Sequence, residues 1–161
     1  MSIFWKYVLV FFISMVPLIE LRGAVPIGLA IGMDKPWLLL LVSAIGNIIP
    51  VPFIYIFGQK ILVWGKEKKG VIGRFSRWCL AKGEAGGEQL KAKSRNGLYI
   101  ALMLFVGVPL PGTGAWTGTL AASFLGMKFR KSVIYVVLGI LMAGLIMLAA
   151  SYGLLGVLGV L

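Results

Sequence analysis

The sequence has no histidine, one cysteine (Cys79), and only five Asp and Glu among 161 residues. Without histidine there is no Ser/His/Asp or Cys/His nucleophile, no His zinc site and no imidazole proton shuttle. One cysteine permits neither an internal disulfide nor a cysteine-based metal site. Charge of either sign is scarce: 13% of residues are charged against 60% hydrophobic, and the mean hydropathy is +0.98. A globular chain carries about 25% charged residues, so this one has too few to coat a water-facing surface. It belongs in a membrane, and no cofactor or metal is expected.

The charge that is present is lopsided. Sixteen Lys and Arg give a net charge of +11. In a membrane protein such an excess serves topology and contact with anionic headgroups, so nucleic acid is not expected as a partner. Lys6 followed by the apolar run 7–18 imitates a signal peptide, but no A-x-A-like site follows. The run meets Glu20 and Arg22 and resumes through Ala24, Val25 and Ile27, as a retained intramembrane element does.

Four apolar segments emerge within a single membrane domain, 1–161: 7–31, 36–58, 98–125 and 132–152. The second and fourth are long enough to cross a hydrocarbon core of about 30 Å. The first and third are broken at their centres. One reads Val16-Pro17-Leu18-Ile19-Glu20-Leu21-Arg22-Gly23-Ala24-Val25-Pro26, with Pro17, Gly23 and Pro26 supplying the break. The other reads Val108-Pro109-Leu110-Pro111-Gly112-Thr113-Gly114-Ala115-Trp116-Thr117-Gly118. Proline removes an amide donor and glycine permits turns closed to other residues, so irregular backbone is predicted at mid-membrane depth. It is tolerated there only inside protein or beside a wet cavity.

The loop 59–97 holds Lys60, Lys66, Lys68, Lys69, Arg74, Arg77, Lys82, Lys91, Lys93 and Arg95 against Glu67, Glu84 and Glu88, which predicts a cytoplasmic loop. Keeping Lys128, Arg130 and Lys131 on that side as well requires 98–125 to be a re-entrant hairpin. Val16-Pro17-Leu18, Gly23-Ala24 and Gly32-Met33 parallel Val108-Pro109-Leu110, Gly114-Ala115 and Gly126-Met127. The predicted fold is therefore an all-α integral membrane protein, an inverted repeat of hairpin plus span: 1–58 (hairpin 7–31, span 36–58) and 98–161 (hairpin 98–125, span 132–152). Asp34 is predicted to cap the first span, with Pro36 in its first turn. Within the loop, Val71, Ile72, Phe75, Trp78 and Cys79 recur at helical spacing. They predict an interfacial helix whose Arg74, Arg77 and Lys82 touch lipid headgroups.

Glu20 is the sharpest functional candidate, because a carboxylate in an apolar segment usually faces a cavity, a partner or an ion path. Arg22, two residues on, meets it directly only if the helix is broken. The pair is either a structural lock on the hairpin tip, or a site in which Arg22 binds an anion and Glu20 exchanges a proton. Around it the candidate substrate-binding residues are Gly23, Pro26, Asn47, Pro109, Pro111, Gly112, Thr113, Gly114, Trp116 and Thr117. The glycines would expose amides to an anion, the threonines would add hydroxyls and Trp116 would wall off an apolar ligand. Pro50 and Pro52 beside Asn47 predict a discontinuous first span lining the same cavity.

These two motifs resemble those of the prokaryotic family known as putative small multidrug export proteins, over nearly the whole chain. That family is in turn more remotely similar to the DedA superfamily, whose members have paired re-entrant hairpins with membrane-embedded Glu and Arg, and some of which are implicated in moving lipid phosphates such as undecaprenyl phosphate. The resemblance implies a transporter-like fold. The expectation is a non-enzymatic, multi-pass inner-membrane transporter or translocase, a homo-oligomer among membrane lipids, with a midplane site between the hairpins. It would move a lipid phosphate or similar anionic amphiphile; proton-coupled export of lipophilic compounds and a non-transporting scaffold are the alternatives.

Overall fold

The computed structural model describes residues 2–78, 80, 81 and 95–157, and among them there is helix and no strand. Helix α1 (Ile3–Met15) stops where Val16, pushed out of helical geometry by the following proline, becomes extended at φ −72° and ψ 129°. Leu18 and Glu20 take left-handed conformations, at φ 73° and 51°, and α2 (Glu20–Ala30) begins. The break thus lies at 16–19. Contrary to the expectation above, Gly23 and Pro26 sit inside α2, because a proline there removes only one intrahelical bond. At 13 and 11 residues the two helices are about 20 Å and 16 Å long, each too short for a bilayer core. The Lys6 ammonium donates to the Gly32 carbonyl at 3.2 Å, tying the start of α1 to the end of α2.

Gly32 closes α2. At φ 74° it lets the Met33 amide reach back to the Gly28 carbonyl at 3.1 Å, while Met33 buries its side chain. Next comes α3 (Pro36–Ile48), with Pro36 at its first position. The cap residue is Lys35, not Asp34, and no side chain caps the end; the missing N–H of Pro36 already removes one orphan donor. One residue later, α4 (Pro50–Phe53) leads into a π-turn (Ile54–Gly58), α5 (Gln59–Lys66) and α6 (71–78 with 80 and 81). Ile49, Ile54 and Gly58 keep right-handed helical geometry, so the prolines leave a local π-turn rather than the predicted discontinuity, and Pro36–Gly58 is one helix long and apolar enough to cross a membrane.

The same plan recurs in α7 (Arg95–Gly107), the break at 108–114, and α8 (Ala115–Phe124). Gly126, at φ 61°, lets the Met127 amide reach the Ala122 carbonyl at 3.1 Å, the counterpart of the Gly28–Met33 closure. The Lys128 amide donates to the Tyr99 hydroxyl at 3.2 Å, so this pair too is joined at its feet. Tyr55 meets the same feet: its hydroxyl donates to the Met127 carbonyl and its own carbonyl accepts from Ser123 Oγ at 2.9 Å. The last helix, α9 (Phe129–Val157), begins three residues before the predicted span and is the second candidate crossing, over Phe129–Leu154.

The main core joins Leu21, Leu40, Val51, Leu102, Val136 and Ile140 from both halves. Glycines set the helix spacing: Gly139 of α9 meets the Met103 carbonyl and Val106, and Gly144 meets Leu21 and Leu40. Between α1 and α3, a Cβ at Gly46 would collide with Ser14 Oγ and the Phe11 carbonyl. Gly46→Ala is therefore expected to cost about 1–3 kcal/mol by overpacking. Thermal unfolding in detergent measures it, and a wild-type midpoint would refute this contact. Outside the core, Phe4, Phe12, Trp37, Phe53, Trp64, Ile134 and Leu154 lie exposed, an apolar exterior suited to lipid.

Candidate functional site

The two breaks face each other, and two side chains of the first finish the backbone of the second. A helix end leaves carbonyls or amides without intrahelical partners, and in a bilayer these must be met by protein or water. Arg22, in the first turn of α2, spreads its guanidinium over the end of α7 and the loop beyond. Nη1 donates to the carbonyls of Leu110 at 2.8 Å and Thr113 at 2.9 Å; Nη2 donates to those of Val106 at 2.9 Å and Val108 at 3.1 Å. Glu20 turns to the opposite polarity. Its carboxylate, only 5% exposed, accepts from the Ala115 amide at 3.2 Å and the Trp116 amide at 3.1 Å, at the start of α8. An anion at a helix N-terminus and a cation at a C-terminus are each favoured by the helix dipole. The two side chains thus serve the facing break rather than each other.

Gly114 makes this geometry possible. At φ 145° it is in a region closed to other residues, and its bare Cα packs against the Glu20 carboxylate. The hydroxyls of this loop are used locally: Thr113 Oγ1 shares its one proton between the carbonyls of Leu110 at 2.8 Å and Val108 at 3.0 Å, and Thr117 Oγ1 donates to Gly114 at 3.4 Å.

Beside the crossed caps lies a cavity of about 750 Å³, the size of a small-molecule pocket. Glu20, Arg22, Pro109, Pro111, Gly112, Thr113, Trp116 and Thr117 of the predicted set line it, while Gly23, Pro26, Asn47 and Gly114 do not. Asn47 is buried in α3 with its Oδ1 unpartnered among the described residues. The first span contributes Phe53, Ile54, Phe57 and Gly58 instead, and α6 contributes Phe75 and Trp78. Sequence reading missed these aromatic walls; the only signal was the aromatic spacing that marked α6 as interfacial. Of the predicted headgroup contacts, Arg74 is exposed, Arg77 donates to the Lys66 carbonyl at 2.9 Å, and Lys82 lies outside the described residues.

Two kinds of surface meet in the cavity. Its walls are mostly apolar, yet the Pro17 and Leu18 carbonyls and the Leu18 and Gly112 amides at its edge have no partner among the described residues. Uncovered backbone of this kind needs water, so a wet strip borders an aromatic slot. No curated protein and no solved structure matches the chain. A family model described as putative small multi-drug export protein matches residues 20–146.

Proposed function

The chain belongs to the putative small multi-drug export protein family, and from that premise we propose that it moves lipophilic or amphiphilic compounds across a prokaryotic cell membrane through the cavity between its two helix breaks. The observation that carries this reading is the cavity itself: a slot of drug-sized volume, aromatic on one side and bordered by water-requiring backbone on the other. A compound with apolar and polar parts finds a surface for each. The carrier is a membrane protein, with two helices long and apolar enough to cross.

In this reading α1–α2 and α7–α8 are re-entrant hairpins entering from opposite leaflets. Their short limbs and tied feet support re-entry. Opposite entry is supported by the first span, which starts at Pro36 beside the first hairpin's feet and brings Tyr55 to the second's. The basic loop 59–97 then lies in the cytoplasm. The exposed hairpin tips, with Leu18 71% and Leu110 56% accessible, favour a homo-oligomer that covers them.

A second reading is favoured by Arg22 and Glu20 standing on the cavity wall. An anionic amphiphile such as a lipid phosphate would draw Arg22 from one of its carbonyls while Glu20 exchanges a proton. Efflux from proteoliposomes separates the two. The first reading predicts ethidium efflux that competes with other lipophilic dyes. The second predicts movement of fluorescent short-chain phosphatidic acid, lost in Arg22→Ala at a temperature where that variant stays folded. Flux of neither compound would refute transport through this cavity.

A further inference from the structure

Helix α6 is exposed along its apolar stripe, and the later part of that stripe borders the cavity. Val71 and Ile72 are 83% and 62% exposed, and Arg74 and Arg77 are exposed beside them, as on a helix lying at a membrane surface. Phe75 and Trp78, half exposed themselves, line the cavity that Glu20 and Arg22 border, with their rings 6.1 Å apart and inclined by 29°. The same short helix therefore borders both the exterior and the slot.

Most of its ties run to its own approach segment. Ser76 packs on Gly65, Gly73 on the Lys68 carbonyl, and Arg77 donates to the Lys66 carbonyl. Leu80, beside Ile54 and Leu120, anchors it in a cluster with the helix-break half of the molecule.

We infer that α6 is the interfacial wall of the cavity, that Phe75 and Trp78 contact its occupant, and that this occupant is a planar apolar compound arriving sideways from the leaflet in which α6 lies. The inference rests on the export reading and specifies its substrate class and route. Two nearly parallel rings offer a flat face to another ring system. All four terminal guanidinium N–H directions of Arg22 go to carbonyls, and each Glu20 oxygen already holds an amide. Recognition in this part of the cavity is therefore by shape and apolar contact. Phe75 and Trp78 line the cavity yet stay 49% and 42% exposed, so a compound dissolved in the leaflet can reach them from the side.

The test uses full-length protein in nanodiscs, with N-phenyl-1-naphthylamine as the probe. A lipophilic aryl diazirine is photolysed with and without the probe, and labelled residues are mapped by mass spectrometry. Protection is expected at Phe75, Trp78, Phe53 and Phe57 together, with Val71 and Ile72 labelled equally in both samples. Phe75→Ala and Trp78→Ala are each expected to weaken probe binding about tenfold. Trp78→Phe should restore most of it, and Val71→Ser should leave it unchanged. Protection confined to the hairpins, or alanine variants that bind like wild type, would overturn the inference. Protection at all four aromatics in a protein that moves no dye would refute export while leaving the wall in place.

Discussion

Arg22→Ala is expected to destabilise the protein by about 3 kcal/mol or more. The side chain makes four hydrogen bonds to carbonyls of the second break. The Val108 and Leu110 carbonyls keep the backbone amides of Leu110 and Thr113 after the substitution, with the one Thr113 hydroxyl proton between them. The Val106 and Thr113 carbonyls lose their side-chain donor, and a buried polar group left unpaired costs about 1–3 kcal/mol. Losing the cation at the α7 terminus adds to this. Arg22→Lys should fall between, because an ammonium carries the charge but cannot fork across four acceptors. Denaturant titration in detergent measures the series. A loss below about 1 kcal/mol for alanine would mean that the second break does not depend on Arg22.

Gly114→Ala is expected to be nearly as damaging, for a different reason. Its φ of 145° costs an alanine about 1–3 kcal/mol in backbone strain. The new methyl would also displace the Glu20 carboxylate from the Ala115 and Trp116 amides, charge-assisted bonds of about 1.5–3 kcal/mol. The two costs can be separated. In Glu20→Ala there is no carboxylate to displace, so adding Gly114→Ala should then cost only the strain. The double variant should be more stable than the sum of the single losses by 1 kcal/mol or more, whereas strict additivity would show that Gly114 acts through its backbone alone.

Much of this arrangement was legible in the order of residues. Proline and glycine act on their own neighbours, so the interruptions at 16–19 and 108–114 follow from Val16-Pro17 and from Pro109, Pro111, Gly112 and Gly114. The matching closures at Gly32-Met33 and Gly126-Met127 were likewise visible as a repeated dipeptide. Pro26 was misleading, because a helix interior absorbs one missing donor without breaking. Asp34 misled for a similar reason: with Pro36 opening the helix, no side-chain cap forms.

The partners of Glu20 and Arg22 could not be read from spacing. They lie 84 to 96 residues away, and they are backbone groups, which every residue carries. Composition marks a buried charge but not whether it meets a ligand, a second charge or a helix end. The aromatic walls were hidden similarly, since Phe75 and Trp78 read as interfacial and spacing does not set Phe53 and Phe57 apart within the first span. Their convergence depends on how the π-turn and α6 fold back toward the breaks.

The central claim is that two helix breaks enter from opposite leaflets and meet at the membrane's middle, where Glu20 and Arg22 of the first complete the backbone of the second. Sidedness tests it most directly, through single cysteines at Asp34, Lys66 and Lys128 in a Cys79→Ser background, labelled on intact spheroplasts with a membrane-impermeant maleimide. The account predicts that position 34 reacts at once, while 66 and 128 react only after permeabilisation. Labelling of 66 and 128 from different sides, or of 34 from the same side as both, would contradict it.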